Sequence, residues 1–224
     1  MIGTYPQRTV VAFALMITQA FLYNAIFFTE SLVLATFFHV PAQQVGYYIF
    51  PFAVGNLLGP LLLGHFFDSV GRRPMIAGTY ALSGVLLLGT GVLFVRGALD
   101  ATTITVCWCI IFFFASAGAS AAYLTVSETF PLEIRAMAIA IVYSVGTLVG
   151  GAIAPLLFGA LIATKQPSAI FDGYAVGAVA MIVGAAIEWW LGVEAARRKL
   201  EDIAAPLGAT GGLSAARGPQ PETA

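Results

Sequence analysis

The chain has 224 residues, of which 59% are hydrophobic and only 9% charged, where a soluble protein carries roughly 25% charged residues. So few charges cannot cover a water-facing surface, and a mean hydropathy of +0.91 makes lipid the main solvent. Ten Lys and Arg against eleven Asp and Glu leave a net charge of -1, which argues against a nucleic-acid partner held by basic charge.

A helix needs about 20 mostly apolar residues to cross about 30 Å of hydrocarbon. Six stretches qualify: 10–38, 45–67, 74–95, 102–126, 137–163 and 171–193. Each is bounded by charges, Pro or Gly. An apolar run of this length must satisfy its backbone hydrogen bonds internally, so each is predicted to be a helix. The first run is too long for a secretory signal, and no cleaved leader is expected. The fold class expected is an all-α membrane protein with six transmembrane helices over residues 1–203. Residues 204–224 are rich in Gly, Pro, Ala and Ser and are expected to form a disordered tail. With the N-terminus inside, eight Lys and Arg fall on inner segments and two, Arg96 and Lys165, on outer loops. That bias predicts both termini cytoplasmic in a multi-pass protein of the cell membrane, plasma or inner.

In the first span, Gln19, Tyr23, Ile26 and Glu30 fall within about 60° of one another at 100° per residue. Such a polar stripe belongs against a cavity or another helix, because polar groups facing lipid are costly. Glu30 lies about 30 Å along the axis from Val10, which fits either the outer rim or a lumen role in substrate or proton handling. In the second span Gly55 and Gly59, and in the fifth Gly146, Gly150 and Gly151, have the spacing that lets helices approach closely. Pro51, Pro60 and Pro155 predict kinks or hinges. Static packing and rocking motion are both open readings of these residues.

The second connection reads Gly64-His-Phe-Phe-Asp68-Ser-Val-Gly71-Arg72-Arg73-Pro74. Gly71 permits a tight turn. Asp68 can face the positive end of a neighbouring helix, and the arginines can pair with carboxylates across the bundle. A plain topology anchor is the alternative. Cys107 and Cys109, about 200° apart on a helix, suit neither a mutual disulfide nor a shared metal and are expected to be buried thiols. The fourth connection carries Glu128, Pro131, Glu133 and Arg135. Glu188, near the inner end of the last span, is expected at the interface. His39 and His65 flank spans without metal-ligand spacing, so neither a metal nor a cofactor is expected. There is no nucleotide loop, His-Glu-x-x-His or nucleophile elbow, and the chain does not read as an enzyme.

Gly-x-x-x-Asp-x-x-Gly-Arg-Arg in a short inner loop resembles the signature of the major facilitator superfamily. Glu128-x-x-Pro131-x-x-x-Arg135 is similar to the inner loop after the tenth span of its sugar porter branch. Glu194 with Leu200-Glu201-Asp202-Ile203 is similar to that branch's tail, without its Pro, Thr, Lys and Gly. This register matches spans seven to twelve of a twelve-span transporter, a six-helix half-bundle. The resemblance implies an inner gate of Asp68, Gly71, Arg72, Arg73, Glu128, Arg135 and Glu194, with static tethering of loops as the alternative. Gln19 and Asn24 match the Gln and Asn that bind substrate hydroxyls in sugar porters, with Leu22 in place of the usual Gly. Where those proteins carry Gly-Pro…Trp, the chain has Ala119, Ser120 and Tyr123. Tyr123 is expected either to contact a ligand or to serve as a helix-contact aromatic.

The resemblance implies transport of a small polar solute, a sugar or organic-acid-like metabolite. Transport would be driven by a proton or other coupling ion, as in the metabolite–proton symporters. Gln19, Tyr23, Asn24, Glu30 and Tyr123 would supply this half's contacts. The partners expected are the solute, the lipid bilayer and a second six-helix half. That half would be a missing N-terminal half, a partner chain or a second copy. Gly3–Arg8 reads as a mid-protein linker, which favours truncation. The rival reading is a membrane sensor or assembly subunit that moves no solute.

Overall fold

A computed structural model describes residues 5–193. Seven helices follow one another: α1 (Pro6–Phe27), α2 (Glu30–Phe37), α3 (Val45–Ser69), α4 (Arg72–Val95), α5 (Ala101–Thr129), α6 (Leu132–Ala163) and α7 (Pro167–Leu191). Counting α1 and α2 as one crossing, six helical segments are long and apolar enough to span a membrane. The expected tail at 204–224 and Glu194 lie outside the described residues.

Local chemistry sets several of the boundaries. Pro6 and Pro167 occupy the first turns of α1 and α7, where the missing N–H costs nothing. Asp100 and Thr103 form a reciprocal capping box at the start of α5. The Thr103 N–H bond holds the Asp100 carboxyl below its ordinary value. The ionised cap therefore persists at neutral pH and is lost as acidification passes through that lowered value. Gly71 sits between α3 and α4 at φ 118°, a conformation that a side chain at this turn would strain.

The first apolar run, expected as one uninterrupted span, breaks at Phe28–Thr29. The interval from Ala25 to Leu34 contains neither Gly nor Pro, so the cause lies in side-chain competition. The Thr29 hydroxyl donates to the Ala25 carbonyl, while Thr29 N–H bonds Ile26 O at 3.0 Å. This tightens the turn, as Ser and Thr back-bonding does in helices. Regular bonding resumes with Val33 N–H to Thr29 O at 2.9 Å.

The tightest helix pairs are α4 with α7, α3 with α5, and α1 with α6. α5 is the central helix, with 61% of its most apolar window buried, whereas α3 has only 11% buried. α3 leaves Tyr47, Phe50, Leu57 and Leu61 exposed, and α6 leaves Leu148 and Leu156 exposed. Several contacts gather at one end of the bundle. Arg8 reaches Thr129, Arg72 reaches Glu128, and Arg73 reaches Trp189. The start of α1 and the end of α7 therefore share this Arg-rich end.

Glycines govern the approach distances. A Cβ on Gly55 would stand 2.8 Å from the Cys109 carbonyl oxygen, and one on Gly59 would overlap the Phe113 carbonyl. On the other side of the bundle, a Cβ on Gly150 would meet Ile17 O at 2.6 Å, and one on Gly146 would meet Met16 Cβ at 2.8 Å. The two pairs bring α3 onto α5 and α6 onto α1. α3 continues through Pro51 and Pro60, and α6 through Pro155.

One expectation is corrected. Cys107 and Cys109 are half-buried rather than buried, because they flank the fully packed Trp108 on either side of α5. Glu188 lies near the end of its span, next to Trp189 at the Arg-rich end, and is wholly buried on a face of α7 turned towards Tyr80 of α4.

Gly59→Ala should lower stability by about 1–3 kcal/mol, the usual cost of overpacking. Gly89→Ala, on an exposed face where an added Cβ meets nothing within 4 Å, should be neutral or slightly stabilising. Thermal melting of both variants in detergent measures the difference.

Candidate functional site

The polar stripe of α1 lies against α5, and because the helices run antiparallel it is matched residue by residue along their length. At the Arg-rich end Arg8 Nη1 donates to Thr129 O at 2.7 Å. Further along, Gln19 lies within side-chain reach of Tyr123. Tyr23 is within reach of Ser116 and donates its hydroxyl hydrogen to Asn56 Oδ1 of α3 at 2.8 Å. Beyond it come Phe112, at 4.7 Å between ring centroids from Tyr23, and Phe52, at 4.3 Å from Phe112. Glu30, in the first turn of α2, lies further along the same direction, within electrostatic range of Cys109 of α5 and Tyr174 of α7.

An open cleft of about 540 Å³ is lined by Tyr23, Asn56, Pro60, Ser116 and Ser120 together with Ala53, Leu57 and Leu61. A second cavity of about 250 Å³ shares Pro60 and Ser120 with it and reaches Asp68 and Arg72. A groove therefore runs between α3 and α5 from the polar cluster towards the Arg-rich end. The aromatic group of Phe27, Phe52 and Phe112 stands at its other end, Phe52 and Phe112 being fully buried. Every polar group lining the cleft is an uncharged hydroxyl or amide. Gln19 Oε1 is buried without a hydrogen-bond partner, a condition that favours a ligand or water donor.

The five expected contact residues divide. Tyr23 lines the cleft and Gln19 stands beside it with Tyr123, whose ring lies 6.0 Å from that of Tyr143 on α6. Asn24 turns towards α6, where Gly151 lies alongside, and its Nδ2 donates to Ala20 O of its own helix at 2.6 Å. Glu30 is only 2% exposed, so it is not at an exposed rim, and it does not line the cleft. The helical-wheel expectation of a continuous polar face fails at its far end because Glu30 lies beyond the break, in α2, and is buried within the bundle.

Asn56, Ser116 and Tyr143 were not singled out by sequence reasoning, and Ser120 only as a departure from the sugar porter pattern. Asn56 carried a usable signal: the chain contains only two asparagines, and a lone amide in an apolar span is itself a site candidate. Ser116 carried none, since Ser is common at packed helix contacts.

At the Arg-rich end, Arg72 joins Glu128 of α5 through Nη1 and lies 3.8 Å from Asp68 Oδ1 through Nη2. The Arg72 and Glu128 side chains are mostly covered, at 14% and 23% exposure, while Asp68 is 69% exposed. Arg73 turns instead to the end of α7, where its Nε donates to Trp189 O at 2.6 Å. Arg135 donates to Phe130 O at 3.4 Å and, among the described residues, joins neither acid. The six expected gate residues that the structure describes are thus spread over several contacts. Asp68, Arg72 and Glu128 form one cluster, Gly71 makes its turn, and Arg73 and Arg135 hold helix ends.

Removing one partner of a half-buried charged pair strands the other, whereas an exposed pair contributes little. Arg72→Ala and Glu128→Ala should each cost about 1.5–3 kcal/mol, and Asp68→Asn less than about 1 kcal/mol. Chemical or thermal unfolding of the three variants in detergent gives the ranking.

The family model for the Major Facilitator Superfamily matches residues 11–220. No curated protein and no solved structure gives a match. The family match covers all six apolar crossings, including the charged turn between α3 and α4. The chain belongs to the Major Facilitator Superfamily and is a multi-pass membrane protein of a family that transports small molecules.

Proposed function

We propose that the chain carries a small polar solute, a sugar or organic-acid-like metabolite, across the cell membrane. It does so as the C-terminal half of an alternating-access transporter driven by an ion gradient. The observation that carries this reading is the cleft between α1, α3 and α5, lined by Tyr23, Asn56, Ser116 and Ser120 inside an otherwise apolar bundle. Hydroxyls and amides both donate and accept hydrogen bonds, which suits the hydroxyl groups of a carbohydrate-like solute. Gln19 and Tyr123 extend this surface on the α1–α5 seam. The match of Gln19 to the sugar porter pattern supports the same assignment, while Asn24, turned towards α6, serves as a packing contact and a flank of the site.

A second six-helix half completes the site from the open side. The exposed apolar faces of α3 and α6, which flank the cleft, support such a neighbour. In folds of this kind one six-span half rocks against the other around a site near the bilayer midplane. Asp68, Arg72 and Glu128 then act as the inner gate. A cluster joined by one arginine can re-form on every cycle, and the Arg excess at its end supports a cytoplasmic location.

Uptake of a panel of sugars and organic acids into vesicles tests the reading, with the chain expressed together with its other half. Loss of one neutral hydrogen bond costs about 0.5–1.5 kcal/mol, so Gln19→Ala and Asn56→Ala should each raise the apparent KM roughly 2- to 12-fold. Arg72→Ala should slow turnover more than it lowers expression. Unchanged uptake in Gln19→Ala and Asn56→Ala would remove the proposed site, and absence of uptake of any solute would favour a sensor or assembly role.

A further inference from the structure

A groove of about 370 Å³ runs between α4 and α7 and is lined by these two helices alone. The cleft draws on α1, α3 and α5, so no helix serves both. The floor of the groove is made of small residues, Ala77, Gly78 and Ala81 of α4 with Ala185 and Ala186 of α7. A Cβ on Gly78 would meet nothing within 4 Å. Glycine inside a helix is unfavourable, and at Gly78 neither a close neighbour nor a positive φ calls for it. What its missing side chain does is deepen the groove.

The depth of the groove matches one leaflet. It begins at Pro74 and ends at a pinch, where a Cβ on Gly84 would stand 2.9 Å from Ala178 O. Ten residues of α-helix rise about 15 Å, half of the ~30 Å hydrocarbon core. Beyond the pinch the same helix pair opens only to a hollow of about 160 Å³ at its far end. A transmembrane helix lying on this face would have to cross the pinch; an acyl chain from one leaflet stops at it. The exposed faces of α3 and α6 differ, since they project leucines such as Leu57, Leu61, Leu148 and Leu156.

The mouth has the composition of a membrane interface, where Trp and cationic side chains gather. Trp189 and Trp190 line it and are 54% and 75% exposed, whereas the third tryptophan, Trp108, is buried. Arg73, which precedes Pro74, donates from Nε to Trp189 O at 2.6 Å. A guanidinium charge is thereby fixed at the mouth. In the sequence, Glu194 and then Arg197, Arg198 and Lys199 follow shortly after Trp190. Basic pockets between transmembrane helices suit anionic headgroups.

We infer that the α4–α7 groove binds one acyl chain of an anionic phospholipid from the leaflet on the Arg-rich side, its headgroup phosphate lying over Arg73, Trp189 and Trp190. The lipid braces α4 against α7 at the end where Arg73 already ties them. This site is independent of solute transport.

The probe is a phosphatidylglycerol with a photoreactive diazirine in its acyl chain, reconstituted with the full chain in phosphatidylcholine nanodiscs. Cross-links should map to residues 74–81 and 182–190. Unlabelled phosphatidylglycerol should compete about fivefold better than phosphatidylcholine with the same chains, the factor that one cation near an anionic lipid supplies. Gly78→Leu, which fills the groove, should abolish the labelling, while Gly89→Leu, on the same helix and equally open, should leave it intact. Arg73→Gln should remove the preference between the two lipids. Labelling that survives Gly78→Leu would overturn the inference, as would equal competition by the two lipids in the unaltered chain. Labelling that appears only after deletion of residues 204–224 would put the chain's own tail in the groove and overturn it as well. So would an unlabelled chain whose dimer, seen by native mass spectrometry, is lost in Gly78→Leu, since the groove would then be a contact between copies.

Discussion

The α1–α5 seam must carry polar side chains and exclude hydrocarbon at the same time, and the rest of the bundle is arranged around that constraint. Lipid supplies no hydrogen-bond partners, so each polar group on α1 needs one within the protein. Thr9, Thr18 and Asn24 bond carbonyls of their own helix, while α5, running antiparallel, brings the Thr129 carbonyl, Tyr123 and Ser116 to Arg8, Gln19 and Tyr23. The cover on either side comes from glycine. Gly55 and Gly59 seat α3 on the backbone of α5, and Gly146 and Gly150 seat α6 on the backbone of α1. The close approach that removes lipid from the seam also leaves α3 with little burial of its own. Its outer face is then available to a neighbour, which is what a half-bundle requires.

The two ends of the bundle are held by different physics. The Arg-rich end is fastened by guanidinium groups that reach carboxylates and helix-terminal carbonyls, from Arg8 to Thr129, Arg73 to Trp189 and Arg135 to Phe130. These bonds use the carbonyls that a helix leaves unsatisfied in its last turn. The other end has rings in place of charges: Phe27, Phe52 and Phe112 near the cleft, and Phe37 and Phe38 against Phe94. Directional charged bonds break and re-form between discrete partners. Aromatic contacts worth about 0.5–1.5 kcal/mol each slide with less penalty. A machine that opens alternately at two ends gains from having one switch of each kind.

Much of this was legible in the sequence, and what was not has physical causes. The six crossings follow from length and apolarity alone, because bilayer thickness is an external ruler. The Gly71 turn was legible because spacing in a short loop constrains geometry, whereas the grouping of Asp68, Arg72 and Glu128 across two connections came only with the resemblance to the major facilitator signature. Close packing at Gly59 and Gly150 was legible because only small residues permit it. The break at Phe28–Thr29 was not, since it arises from a hydroxyl competing for a carbonyl within a stretch that has no Gly or Pro. Nor were Asn56 and Ser116. A helical wheel assigns a residue to a face of its own helix, but which other helix meets that face is a tertiary fact. Asn24 shows the converse: the resemblance to sugar porters implied a role shared with Gln19, while five residues on an α-helix turn through about 500° and point the two side chains at different neighbours.

The same geometry explains why Glu30 separates from the rest of its stripe. Gln19 and Tyr23 lie where α3 and α5 diverge around the cleft, so partial exposure is built into their position. Further along the axis, Ile26 and Glu30 meet a bundle already closed by Phe52 and Phe112, and both are buried. A hydrophobic residue such as Ile26 gains from that burial. An acid does not, so burial favours one member of this stretch and disfavours the other, and the polar face that a helical wheel draws as continuous divides at the α1–α2 break.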